Sequence, residues 1–163
     1  MTLNLNNIEP GEKVFIAANI FFYAAQETSK QCKDFLRRCM ENEIEGWSTT
    51  AILAELMHIF MLNEAKERGF LTRNNPTRQL SENPKLIRQM IDYRRKINDM
   101  LKINLSFSGN TTEDFISALN IHGEYGLLTN DALFLAAANR MNITNIITAD
   151  KAFSNIYEIR HFA

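Results

Sequence analysis

Three acidic side chains in this sequence stand where chemistry could be done with them. They are Glu55, Asp131 and Asp150, accompanied by the amide of Asn19 and the hydroxyl of Thr148. Each acid follows a short apolar run or heads an apolar helix, so its neighbours draw it inward while its charge resists burial. Carboxylates gathered without a base repel one another by about 4 kcal/mol per pair at 4 Å in a surface-like dielectric. A divalent cation removes that repulsion, and an all-oxygen donor set with no paired His or Cys favours Mg²⁺ or Mn²⁺ over zinc. Such an ion lowers the pKa of bound water and clamps phosphate oxygens during in-line attack.

These side chains need a scaffold that brings them to one place. Residues 13–18 (KVFIAA), 46–49 (GWST), 103–107 (INLSF) and 145–148 (NIIT) are short runs rich in β-formers, and residues 157–161 offer a fifth. Between them lie helical stripes. Ser29 caps a helix over 30–43 that aligns Cys32, Phe35, Leu36 and Cys39, and Thr50 opens one carrying Ile52, Leu53, Leu56, Ile59 and Phe60. Residues 69–84 turn polar and read as a loop or mobile arm. Pro84 then starts a helix to Lys102 with Leu86, Met90, Ile97 and Leu101 inward. Residues 111–114 (TTED) have the form of a capping box for a helix ending near Gly126, and Thr129 or Asn130 caps a further helix, 132–141, that is apolar nearly all round. Strands alternating with helices predict a three-layer α/β/α sandwich around a parallel sheet of four or five strands. In such a sheet, ligands gather outside the carboxyl ends of the strands, where Asn19, Glu55, Asp131, Thr148 and Asp150 all fall. At about 100° per residue, Glu55 lies about 40° from Ile59, on the flank of its helix's apolar stripe, and a carboxylate there is half-buried.

The bulk properties limit the partners. At 163 residues the chain reads as one domain, residues 1–163, with a possible mobile or helical insertion at 69–102. A net charge of −1 excludes a global basic excess, so any nucleic-acid contact must come from local clusters. Cys32 and Cys39, seven helical residues apart, are about 10 Å distant and read as packing thiols rather than a disulfide. The N-terminal stretch lacks a signal-peptide pattern and no apolar run reaches membrane length; a cytoplasmic protein with no membrane association is expected.

Four segments together resemble the PIN-domain ribonucleases: VFIAANIFFY (14–23), STTAILAELMHI (48–59), LLTNDALFLAAA (127–138) and NIITADKAF (145–153). Each is weak alone, but they occur in the family's order and spacing over nearly the whole chain. The resemblance is closest to the VapC-like toxins of prokaryotic toxin–antitoxin pairs. It implies Mg²⁺- or Mn²⁺-dependent cleavage of RNA, of the tRNA or rRNA class, leaving 5′-phosphate and 3′-hydroxyl ends. It also implies metal ligation by Glu55, Asp131 and Asp150, with Asn19 and Thr148 orienting carboxylates, water or phosphate. A cognate antitoxin and a homodimer are the implied partners.

The chain departs from that pattern twice. Ala17 occupies the place where the family's first motif carries an aspartate, and residues 70–102 are longer than in the smallest members. Loss of one acid from a cooperating set can cost orders of magnitude in rate. Engineered inactivation is the preferred account of Ala17, since the other motifs stand intact; a natural pseudo-enzyme that binds RNA or a protein without cutting is the alternative, and an RNA-processing nuclease is a third reading of the function. Taken singly, Asp131 reads as a helix N-terminal acid, Asp150 as a cap and Glu55 as half of an ion pair; only their convergence makes a site. His58, His122 and His161 read as isolated packing or surface residues, Phe21, Phe22 and Tyr23 as helix or dimer packing, and Arg37, Arg38, Arg94, Arg95 and Lys96 as solvated faces.

Overall fold

A computed structural model of the chain describes residues 1–72 and 74–163. Its strands are β1 (Thr2–Leu3), β2 (Lys13–Ile16), β3 (Glu45–Thr49), β4 (Leu105–Ser108), β5 (Asn145–Ile147) and β6 (Arg160–Phe162). Every pairing is parallel, and the order across the sheet is β1-β6-β5-β2-β3-β4. The central strands β2 and β5 are buried almost throughout, as strands covered on both faces must be. The helices are α1 (Ala18–Ala25), α2 (Lys30–Met40), α3 (Thr50–Glu67), α4 (Pro76–Ser81), α5 (Pro84–Gln89), α6 (Asp92–Lys102), α7 (Thr112–Tyr125) and α8 (Thr129–Arg140).

Connectivity assigns the helices to faces. The chain steps from β2 to β3 to β4 in one direction, then returns across the sheet to β5. With right-handed crossovers, the helices of the outward steps cover one face and those of the return cover the other. Packing agrees: α1 lies on α2 and α3, and α3 on α6, while α7 packs on α8. Small side chains let α8 approach the sheet closely, and every residue from Ala132 to Ala138 is buried. Phe134 meets Phe15 of β2 at 4.9 Å and Phe153 at 6.0 Å. Gly46 matters for the same reason, because a Cβ there would collide with the Leu105 side chain.

Several boundaries differ from those the sequence suggests. A sixth strand, Thr2–Leu3, pairs with β6 and is too short to leave a periodic signal. The helix expected over 30–43 ends at Met40, and Asn42 turns the chain at φ 60°. The stretch 69–84 contains a helix, α4, with Pro76 at its start and Asn75 capping it; Arg73 lies outside the described residues. The helix expected over 84–102 is two helices, broken around Met90 and Ile91. Glu64 of α3 explains the break: its buried carboxylate accepts from the backbone amides of Ile91 (3.0 Å) and Tyr93 (2.8 Å) while pairing with Arg68 at 2.9 Å. Ile91 has no side chain able to cap α6, so an acid from another helix does so. The new phase buries Met100 and leaves Leu101 exposed, against expectation. The third strand runs 105–108 rather than 103–107, the fourth stops at Ile147, and the last is 160–162 rather than 157–161. The cap expected at Thr129 or Asn130 is not used, because α8 already includes both and begins after Leu128 with no side-chain cap. The capping box between Thr111 and Asp114 is present, and both cysteines are free and buried. Burial pushes the Cys39 thiol up to about 12, the behaviour of an unreactive packing thiol.

Candidate functional site

The chain leaves β2 toward β3 on one side, whereas β5, its other neighbour, continues to β6 on the opposite side. A crevice at the carboxyl ends of such diverging strands follows from the topology. The cavity found there has a volume of about 730 Å³, and Ala17, Asn19, Glu55, Asp131, Thr148 and Asp150 all line it. All six side chains that the sequence singles out therefore meet around one space.

Each is delivered by a different local device. Ala17 is the residue before α1, in extended conformation (φ −83°, ψ 162°), and its amide donates to the carbonyl of Ile147 at 2.9 Å, tying the end of β2 to the end of β5. It makes no side-chain cap, and alanine is among the poorest residues at that position. Ser48 fastens the neighbouring strand, donating from Oγ to the Ile16 carbonyl at 2.7 Å, and Thr49 caps α3 by accepting from the Ile52 amide at 3.1 Å. That cap fixes the phase of α3 and so turns Glu55 to the cavity. Asp131 sits in the first turn of α8. Asp150 caps a 3-10 turn, Lys151–Asn155, accepting from the Ala152 amide at 2.8 Å.

Asn19 and Thr148 form a bridge across the floor. The Asn19 amide donates to Thr148 Oγ1 at 3.1 Å, and its Oδ1 accepts from the Ala149 amide at 3.1 Å. Thr148 Oγ1 also accepts from the Asp150 amide at 3.1 Å. Together Asn19 and Thr148 hold the turn that carries Asp150.

The electrostatics of the acids are uneven. Neither Glu55 nor Asp131 makes a hydrogen bond or ion pair with the described residues, and no basic side chain lines the cavity among them. The ion-pair reading of Glu55 therefore does not hold within that set. Burial raises the Glu55 carboxyl above its ordinary range, and the Asp131 charge adds to the rise. Burial likewise raises Asp131, with Asp150 contributing. The acids are close enough to feel each other. Among the described residues, however, no three acidic, His or Cys side chains stand close enough to ligate one ion as they are placed. The donor set still fits a hard cation in type and charge, since Mg²⁺ keeps several waters and needs only one or two direct carboxylates.

Sequence reasoning undervalued some neighbours. Phe22 and Tyr23 line the cavity, with Phe22 stacked on Phe60 at 6.0 Å, while Phe21 belongs to the core. His161 is buried and makes three hydrogen bonds rather than standing alone. Arg38 is not a solvated residue: it pairs with Glu43 at 2.6 Å and donates to the carbonyl of Ile8 at 2.7 Å. Periodicity carries no signal for any of these contacts.

A parallel α/β sheet with an acid-lined crevice at its switch point defines a class of fold with its ligand site at the strand ends. Within that class, the chain belongs to the PIN-domain family, whose model matches residues 14–159. Members are typically nucleases that use divalent metals. Solved structures share the fold, and two of them illustrate it. VapBC2 from Rickettsia felis, bound to a DNA fragment from its promoter, is 16% identical, with a TM-score of 0.58 over 93% of this chain and 97% of that one. A toxin–antitoxin complex from Klebsiella pneumoniae is 15% identical, with a TM-score of 0.56 over 90% and 94%. At such identities the likeness is one of fold. No curated protein matches the chain by sequence. No helix among the described residues is long and apolar enough to cross a membrane.

Proposed function

We propose that this chain is a VapC-like toxin ribonuclease whose site lacks one acid at Ala17. The observation that carries the reading is the pair of half-buried acids, Glu55 and Asp131, without a counter-charge among the described residues and beside Asp150 in one cavity. Acids whose pKa is raised by burial in a cleft mark candidate functional sites, because burial of unpaired charge is otherwise selected against. Glu55, Asp131 and Asp150 would hold Mg²⁺ or Mn²⁺, and the ion would supply an activated water and charge neutralisation at the phosphate. Asn19 and Thr148 fix the Asp150 turn. Tyr23, 38% exposed at the cavity mouth, offers a flat surface on which an unpaired base can stack. An antitoxin partner is supported by the structural neighbour from Klebsiella pneumoniae, a toxin–antitoxin complex, and a homodimer is the assembly we expect.

The local geometry at position 17 favours an acid. An extended residue before a helix is where aspartate caps best, so Ala17→Asp would satisfy an α1 amide while adding a carboxylate at the cavity. Our prediction is that Ala17→Asp raises Mg²⁺- or Mn²⁺-dependent cleavage of bulk tRNA or rRNA by at least 100-fold, and that Asp131→Asn in the same background removes the gain. An Ala17→Asp chain that is folded and metal-bound yet no more active than its parent would refute the nuclease reading. A second reading, a PIN module that binds RNA or a protein without cutting, is favoured by Ala17 and by the lack of a ready three-ligand group among the described residues. Calorimetry separates the two: the toxin reading expects Mn²⁺ binding that Asp131→Asn weakens, the binding-module reading expects none.

A further inference from the structure

The turn that carries Asp150 begins where the sheet stops helping it. The last ladder residue of β5 is Ile147, and the Thr148 amide still donates to Phe162 at 3.0 Å. Beyond that point the peptide joining Thr148 to Ala149 is held by side chains instead. Its N–H donates to Asn19 Oδ1 at 3.1 Å, and its carbonyl lies 2.7 Å from Nε2 of His161. One peptide plane is therefore gripped at both poles, by α1 on one side and β6 on the other, and Asp150 follows directly after it.

The proton on the ring can be assigned by chemistry. A carbonyl oxygen only accepts, so Nε2 carries the hydrogen, and in the neutral ring Nδ1 presents a lone pair. Two hydroxyls stand ready for that lone pair, Thr2 Oγ1 at 3.2 Å and Ser154 Oγ at 3.3 Å, and these lie 3.2 Å from each other. The ring is 3% exposed and Thr148 is 1% exposed, so water cannot replace the bond if it is lost. Thr2 comes from β1, which explains a use for that two-residue strand: it closes the far side of the histidine.

We infer that His161 is a positioning residue for Asp150, acting through the Thr148 carbonyl and fixed as the Nε2–H tautomer by Thr2 and Ser154. This rests on Asp150 being one of the acids of the proposed metal cavity. Groups that orient ligands in this way typically change metal affinity by about 10- to 100-fold when removed.

The test uses the full chain and three variants. Glutamine places its amide nitrogen near the position of Nε2, asparagine near that of Nδ1, and leucine supplies neither. His161→Leu is expected to speed hydrogen exchange at the Ala149 and Asp150 amides about tenfold while the amides of β2 keep their protection, and to weaken Mn²⁺ binding about tenfold. His161→Gln should restore both properties and His161→Asn should restore neither. Nitrogen-15 spectra of the unaltered chain should show the Nε2–H tautomer. An Nδ1–H ring, equal behaviour of the Gln and Asn variants, or unchanged exchange in folded His161→Leu would each overturn the inference. Should His161→Leu fail to fold, the Gln and Asn variants and the tautomer decide it. If no form binds Mn²⁺ but the exchange pattern holds, the metal reading fails while the hold of His161 on the Asp150 turn stands.

Discussion

Two sets of acids in this molecule, one fully buried and one half-buried, are treated in opposite ways. Asp114, 1% exposed, is surrounded by donors: Arg140 reaches Oδ1 at 2.8 Å and Oδ2 at 3.1 Å, the Thr111 amide reaches Oδ2 at 2.9 Å, and Asn110 stands near. Burial acts to raise its pKa, yet the Arg140 bonds and the Thr111 amide hold it below the ordinary carboxylate range. Glu55 and Asp131 have no such donors among the described residues, and their carboxyls are pushed up by burial and by their acidic neighbours. The first acid belongs to the frame, closing the β4–α7 connection against the end of α8. The others weaken the frame in the absence of a cation. Stability surrendered at one place and secured at another is the pattern expected when a site must stay receptive to charge.

Disrupting the satisfied acid should have the largest effect on stability. Asp114→Ala leaves the Arg140 guanidinium and the Thr111 amide without their acceptor and is expected to cost about 3 kcal/mol, read by urea denaturation. A cost near zero would mean the network is ornamental. Relieving the unsatisfied acids should act in the reverse direction: Asp131→Asn or Glu55→Gln is expected to stabilise the metal-free chain by on the order of 1 kcal/mol, and to diminish the rise in melting temperature that Mn²⁺ produces. Destabilisation by both substitutions would mean that these acids have partners and would dissolve the contrast.

The smallest effect is on pH dependence. Asp114 and Glu64 have lowered pKa values, so the stability they contribute is present above the ordinary carboxylate range and is lost as pH falls through their folded values. Glu55 and Asp131 have raised values, so the native chain binds protons more tightly than the unfolded one. Their penalty is full at neutral pH and is relieved as pH falls from their folded values to the ordinary range. Metal-free stability should therefore climb slightly on mild acidification before it collapses. In the double variant Glu55→Gln, Asp131→Asn the climb should vanish and the collapse should remain.

Local chemistry in the chain was enough to indicate the alternation of strands and helices, the capping box at Thr111 and Asp114, the buried alanine-rich helix and the edge of the sheet where Asn19, Glu55, Asp131, Thr148 and Asp150 gather. These follow from periodicity and from rules that tie parallel sheets to their carboxyl ends, and both are written within short stretches of residues. What stayed hidden depends on groups far apart in the chain. Glu64 breaks the helix pattern of 84–102 from another helix, Arg140 neutralises Asp114 from the far end of α8, and His161 reaches back to Thr148 from the neighbouring strand. Whether an acid is at ease or strained is set by which donors surround it in three dimensions. A sequence names its acids, but only the packed chain decides what each of them faces.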